Sequence, residues 1–164
     1  MIDLQLSAEV ENVQKIGVPR DHTFFIKLRC VNCNDITPSA VGISRDMEVE
    51  GVRGASVNMQ IKCKGCSRVN DISIVDEDGG EFVADSDKWQ TIASFECRGV
   101  DLHEYEVRDG YYVVAADGKT RFEDADLSDD WCEVDEKGRP VSVSQVAGRF
   151  VAGGGKKGDK KKKK

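Results

Sequence analysis

The sequence predicts an all-β protein, a sandwich or barrel, carrying a zinc site formed by two Cys-x-x-Cys knuckles at one edge. Three observations carry this reading. Apolar and polar residues alternate in short runs through most of the chain, the period of a half-buried strand. Gly, Pro and Asp-Gly punctuation separates these runs at the spacing of a sandwich or barrel, with no long amphipathic helix among them. Four of the six cysteines stand as two matched pairs, Cys30-Val31-Asn32-Cys33 and Cys63-Lys64-Gly65-Cys66, with 29 residues (34–62) between them.

Taken in order, Ile2, Leu4, Leu6, Ala8 and Val10 alternate with Asp3, Gln5, Ser7 and Glu9, which predicts a strand with its polar members outward. Gly17-Val18-Pro19 breaks the chain. Residues 23–29 form a second strand, which delivers Cys30, and short apolar pieces fill residues 39–52. Ala55, Val57, Met59 and Ile61 alternate in a third strand, which delivers Cys63. Two strands of one sheet or hairpin are therefore expected to present both knuckles at one edge. Residues 69–75 are rich in β-branched side chains, and Asp78-Gly79-Gly80 signals a turn. The pattern resumes at residues 89–95 and 100–107. Asp109-Gly110 predicts a hairpin with a type I′ turn between Val107 and Tyr111, and Asp117-Gly118 marks another turn. Residues 131–134 and 141–146 bring the count to roughly nine or ten short segments, as in a sandwich or barrel.

Four thiolates are the complete ligand set of a closed tetrahedral zinc site. A two-residue spacer turns both sulfurs of a pair toward one ion, and Asn32 and Gly65, at matching positions, are expected to supply the left-handed backbone of each knuckle. A redox dithiol would instead open a helix. Residues 34–38 after the first pair read as a turn, and the β-branched run follows the second.

Charge is distributed unevenly. Seven of the 24 basic residues and one of the 30 acidic ones fall in residues 156–164, which leaves the body with 17 against 29, a net of about −12. So acidic a body argues against a nucleic-acid backbone as the specific partner. The expected division is a zinc-binding domain over residues 1–151 and a disordered Gly/Lys-rich tail over 152–164. Asp3, Glu9 and Glu11 interrupt any signal-peptide core, and no apolar run approaches the ~20 residues of a membrane span. The expectation is a cytoplasmic monomer, with nuclear access through the lysine tail.

The sequence also resembles the eukaryotic CXXC-motif-containing zinc-binding proteins. The resemblance rests on both Cys pairs, on Gly51-Val52-Arg53-Gly54-Ala55-Ser56, on Phe95-Glu96-Cys97-Arg98-Gly99, on Asp130-Trp131 with Asp135-Glu136-Lys137, and on residues 146–151. It implies a two-sheet sandwich with one zinc and ligands Cys30, Cys33, Cys63 and Cys66. It supplies no reaction, and the poly-lysine ending departs from the family pattern.

No other constellation matches the paired cysteines. Cys97, Cys132, His22 and His103 form no close ligand pair and are expected to be core cysteines and surface histidines. Strand alternation should bury Cys97 beside Phe95 while Glu96 and Arg98 point outward. The acidic run at residues 123–130 lacks a calcium loop's spacing and glycine, and is expected to be a solvated loop. No nucleophile elbow or phosphate-binding glycine loop is present. The functional expectation is a protein without catalytic activity, with Zn2+ as a structural cofactor and a protein as partner. A thiol-redox or metal-transfer protein and a zinc-ribbon nucleic-acid binder are the alternatives.

Overall fold

The computed structural model describes residues 1–75 and 80–153. Asp78-Gly79 and the expected disorder of the tail from residue 154 onward lie outside the described residues. Fifteen strands account for the regular structure among those described: β1 (Ile2–Glu11), β2 (Val13–Gly17), β3 (Thr23–Cys30), β4 (Val41–Ser44), β5 (Val49–Glu50), β6 (Ser56–Val57), β7 (Met59–Lys62), β8 (Val69–Ile74), β9 (Glu81–Val83), β10 (Gln90–Arg98), β11 (Val100–Glu106), β12 (Tyr111–Ala115), β13 (Arg121–Ala125), β14 (Trp131–Val134) and β15 (Pro140–Ala152). The all-β expectation holds.

One layer is a six-stranded sheet in the order β14-β15-β1-β10-β8-β7. Against it pack a three-stranded sheet, β11-β3-β4, and a four-stranded sheet, β13-β12-β2-β9, so the second layer is divided in two. The small β5-β6 ribbon lies beside β7 and β8. Aromatic side chains lock the layers together. Phe24 of β3 meets Phe95 of β10 edge-on at 5.6 Å, and Tyr105 of β11 meets Phe150 of β15 at 6.4 Å. At the far end Phe122 of β13 meets Trp131 of β14 at 5.2 Å. Such geometry adds to the burial of apolar area.

Single residues in the left-handed region send the chain from one layer to the other. Asn12 (φ 58) is the only residue between β1 and β2, and Gly99 (φ 89) the only one between β10 and β11. Gly99 has a second reason to lack a side chain, because a Cβ there would sit 2.0 Å from Asn70 Oδ1. The Asn12 corner is tied by Asp135, which is 5% exposed. Its carboxylate accepts the backbone N–H of Arg139 and of Lys137, the Arg139 Nε–H and the Asn12 amide, all between 2.9 and 3.0 Å. The Arg139 backbone N–H comes first among the causes that hold this carboxyl far below the usual range.

Three expectations about the chain path are corrected. Asp109-Gly110 does not make a hairpin: β11 pairs with β3, whereas β12 pairs with β13 and β2, so this turn carries the chain between sheets. The acidic run is not simply a solvated loop, since its first part belongs to β13 and both Ala125 and Leu127 are buried. Asp3 is buried rather than outward, accepting a 2.7 Å hydrogen bond from Ser94 Oγ.

Phe24 is fully buried between the layers. Phe24→Ala should therefore lower unfolding free energy by about 3–5 kcal/mol in a urea titration of the zinc-loaded protein. A loss below ~1 kcal/mol would mean that the two layers do not depend on this contact.

Candidate metal centre

Strand alternation aims both knuckles into the space between the layers. Along β3, Phe24, Ile26, Leu28 and Cys30 form one continuous buried row. Along β7, Met59 and Ile61 face the core, and Cys63 falls next in the same period-two row. These strands do not belong to one sheet or hairpin, as the sequence had suggested. β3 lies in the three-stranded sheet and β7 at the edge of the six-stranded one, so each layer contributes one Cys-x-x-Cys pair.

The two knuckles repeat the same backbone pattern. In the first, the Cys30 N–H donates to the Asp35 carbonyl at 2.8 Å, and the Asn34 N–H donates to the Cys30 carbonyl at 2.8 Å. In the second, the Cys63 N–H donates to the Arg68 carbonyl and the Ser67 N–H to the Cys63 carbonyl, again at 2.8 Å. The left-handed residues are Asn34 (φ 67) and Ser67 (φ 66), one position after each second cysteine, and not Asn32 and Gly65 as expected. Closing each loop requires the chain to reverse after the second sulfur rather than between the two. Gly65 matters for space: a Cβ there would lie 3.1 Å from Cys33 Sγ and 3.2 Å from Asp35 Cβ. Asn32 reaches across, and its side-chain amide is the first cause holding the Cys66 thiol below its ordinary pKa.

The four sulfurs converge. Cys30 Sγ is 3.8 Å from Cys66 Sγ, Cys33 Sγ is 3.5 Å from Cys63 Sγ, and all four lie within 4.8 Å of one another. Zinc with four sulfurs at about 2.3 Å requires neighbouring sulfurs roughly 3.8 Å apart, so the donor set fits zinc in both number and size. Backbone N–H groups point at the sulfurs, as the Gly65 N–H does to Cys63 Sγ at 3.3 Å. Four thiols this close share their protons unevenly. The Cys33 backbone N–H leads the causes that pull the Cys30 thiol down to about 6. At Cys33 the Asp35 backbone N–H pulls down, but Cys63, burial and the other thiols prevail and push it up to about 12. A divalent cation at the centre removes this competition by stabilising every thiolate at once. Cys30 is buried, Cys63 and Cys66 half-buried and Cys33 exposed.

Among the described residues, these four cysteines are the only group of three or more His, Cys, Asp or Glu placed to share one ion. Cys97, Cys132, His22 and His103 are not brought together. Cys97 lies half-buried on the Phe95 face, as alternation predicts, and burial pushes its thiol up to about 12. Cys132 is exposed on β14 and not a core residue. His103 is exposed, but His22 is no surface histidine. It is 4% exposed, its rings meet Phe24 and Tyr111 at 4.8 and 4.9 Å, and Nδ1, assigned as protonated from its partner, donates to the Gly110 carbonyl at 3.0 Å. Neither cysteine pair opens a helix among the described residues, the setting in which a redox dithiol gains its low pKa.

The comparisons agree with this geometry. The family model for the eukaryotic CXXC motif containing zinc binding proteins matches residues 3–151. The chain belongs to that zinc-binding family. Among its relatives, a UPF0587 protein of Drosophila melanogaster is 38% identical, covering 92% of this chain and 96% of its own. The CXXC motif containing zinc binding protein of Homo sapiens is 32% identical, covering 92% and 97%. The crystal structure of C1orf123 superposes with a TM-score of 0.84 at 33% identity, covering 93% of this chain and 99% of that one. A hypothetical protein from Plasmodium falciparum shares the fold, with a TM-score of 0.80 at 21% identity.

Burial, opposed in part by the Gly110 hydrogen bond, lowers the His22 pKa from its ordinary 6.5. The native state therefore binds fewer protons than the unfolded chain just below that pH. The stability this neutral histidine contributes is present above pH 6.5 and is lost as pH falls from there toward the lower folded value. Urea titrations at pH 7.5 and 5.5 should show a smaller pH-dependent loss for His22→Gln than for wild type. Equal losses would contradict the assignment.

Proposed function

We propose that this protein is a non-enzymatic, zinc-stabilised β module in which Cys30, Cys33, Cys63 and Cys66 hold one structural zinc ion and the surface around them contacts another protein. The observation that carries the reading is a four-sulfur set of zinc dimensions drawn in equal parts from two facing layers. Four protein ligands complete the tetrahedron of a structural site and leave no position for the water or substrate of a catalytic one. A structural ion between layers supplies binding energy directly to folding, on the order of 10–16 kcal/mol in small zinc-binding peptides, against ~5–15 kcal/mol for a whole domain. The same reading places the protein in a reducing compartment, where paired Cys-x-x-Cys motifs hold metal rather than disulfides.

Replacing one ligand should release metal and destabilise the fold together. Cys63→Ser is expected to purify with well under one zinc equivalent and to melt roughly 10 °C or more below wild type, at about 2–4 °C per kcal/mol for a chain of this size. Elemental analysis and calorimetry on the same sample check both outcomes. A variant that retains a full zinc equivalent and its melting temperature would refute the structural role.

A further inference from the structure

Resting on the reading of the zinc end as a protein-contact surface, we propose that the cavity beside the knuckles anchors an acidic protein segment, which seats there one side chain with an aliphatic stem and an N–H donor at its tip. The cavity, about 70 Å3, lies against Cys30 of one knuckle and Cys63 of the other. Leu28, Pro38, Ile61 and Val100 give it largely apolar walls.

Asn70 supplies the polar feature. It lines the cavity from β8, is 2% exposed, and its Oδ1 has no hydrogen-bond partner. A buried carbonyl oxygen without a donor is rare, because its desolvation is not compensated. Gly99 packs directly on this oxygen and limits its movement. A donor that reaches this oxygen from the cavity would meet an acceptor that is already desolvated. The volume corresponds to roughly five water-sized groups at ~10–15 Å3 each, which suits the five heavy atoms of a glutamine side chain better than the rings of a nucleobase or an indole.

Charge selects the rest of the partner. Residues 22–70 carry seven Lys or Arg against four Asp or Glu, a net of +3 within a body of about −12. Lys62 and Lys64 line the cavity together with Asp35. With Arg53 and Arg68 nearby in sequence, these lysines make no ion pair among the described residues. A dianionic Zn(Cys)4 centre offsets part of this charge, yet free ammonium groups remain at the mouth. Ile36 and Val31, 40% and 54% exposed, extend the apolar contact outward. Electrostatic complementarity of this kind selects partners and orients their approach.

The test uses the zinc-loaded full-length chain and the peptide Ac-Glu-Glu-Gln-Glu-Glu-NH2, followed by amide chemical shifts in nuclear magnetic resonance. Shifts are expected at Thr37, Lys62, Lys64 and Asn70, with a Kd about fivefold lower than for the analogue carrying Leu in place of Gln. The analogue carrying Lys in place of Glu should shift none of them. Asn70→Leu should remove the preference for Gln over Leu. The double variant Lys62→Gln/Lys64→Gln, compared with wild type at an equal zinc equivalent checked by elemental analysis, should weaken peptide binding at least fivefold, so this site can fail without the structural zinc reading failing. Equal binding of the Gln and Leu peptides, binding of the Lys peptide, or stronger shifts with an oligothymidylate than with any peptide would each overturn the proposal.

Discussion

The structure depends on one junction, four sulfurs facing one another between two β layers that at this end are otherwise linked by the crossing of the chain from β10 through Gly99 to β11. β3 and β7 do not pair, and the cavity beside Cys30 and Cys63 shows that apolar packing thins out between them. Period-two alternation places Cys30 in the same row as Phe24, Ile26 and Leu28, so the knuckle continues the core row rather than decorating its edge. A zinc ion held by these sulfurs would thus stand where further core side chains would have stood. The other end of β1 needs no metal, because the buried Asp135 carboxylate gathers four donors around the Asn12 corner and Phe122 packs on Trp131.

Local features of this arrangement were legible in the sequence, and relations between distant strands were not. The Cys pairs, their spacing and the alternation in β3 and β7 identified the donor set and the strands that deliver it, while its inward aim came from the layers. Sheet membership was invisible, since alternation states which residues face inward but not which neighbour a strand pairs with. That is why both knuckles were assigned to one sheet and Asp109-Gly110 to a hairpin. The single-residue corners at Asn12 and Gly99 send sequence-adjacent strands into different layers, and a local turn signal does not distinguish a reversal from such a crossing. β2 and β9 went unread for a related reason: they are short, and β2 pairs with β9 on one side and β12 on the other rather than either forming a long alternating run.

Around the sulfurs, the missed residues were those whose role is a single contact. Asn32 was noted for its backbone, yet its side-chain amide acts on Cys66; Gly65 was noted for its flexibility, yet it makes room for Cys33. Asn70-Asp71, two adjacent polar residues inside a strand that also carries Val69, Ile72 and Ile74, was the available signal for buried polar work. Asp71 accepts the Val52 N–H at 2.9 Å and the Gln60 amide at 3.3 Å, which ties the Gly51–Gly54 turn to the knuckle-bearing strands. The histidines show the reverse error, because only packing reveals that His22 fills the space between Phe24 and Tyr111.

Amide hydrogen exchange before and after zinc is removed by a chelator tests the interlayer junction most directly. If one ion joins the layers, protection should fall together in β3, β7, β8 and the start of β11, while β12, β13 and β2 keep theirs. Exchange that changes only at residues 30–35 and 63–68, or not at all, would mean that the sulfurs bind metal without holding the two layers together.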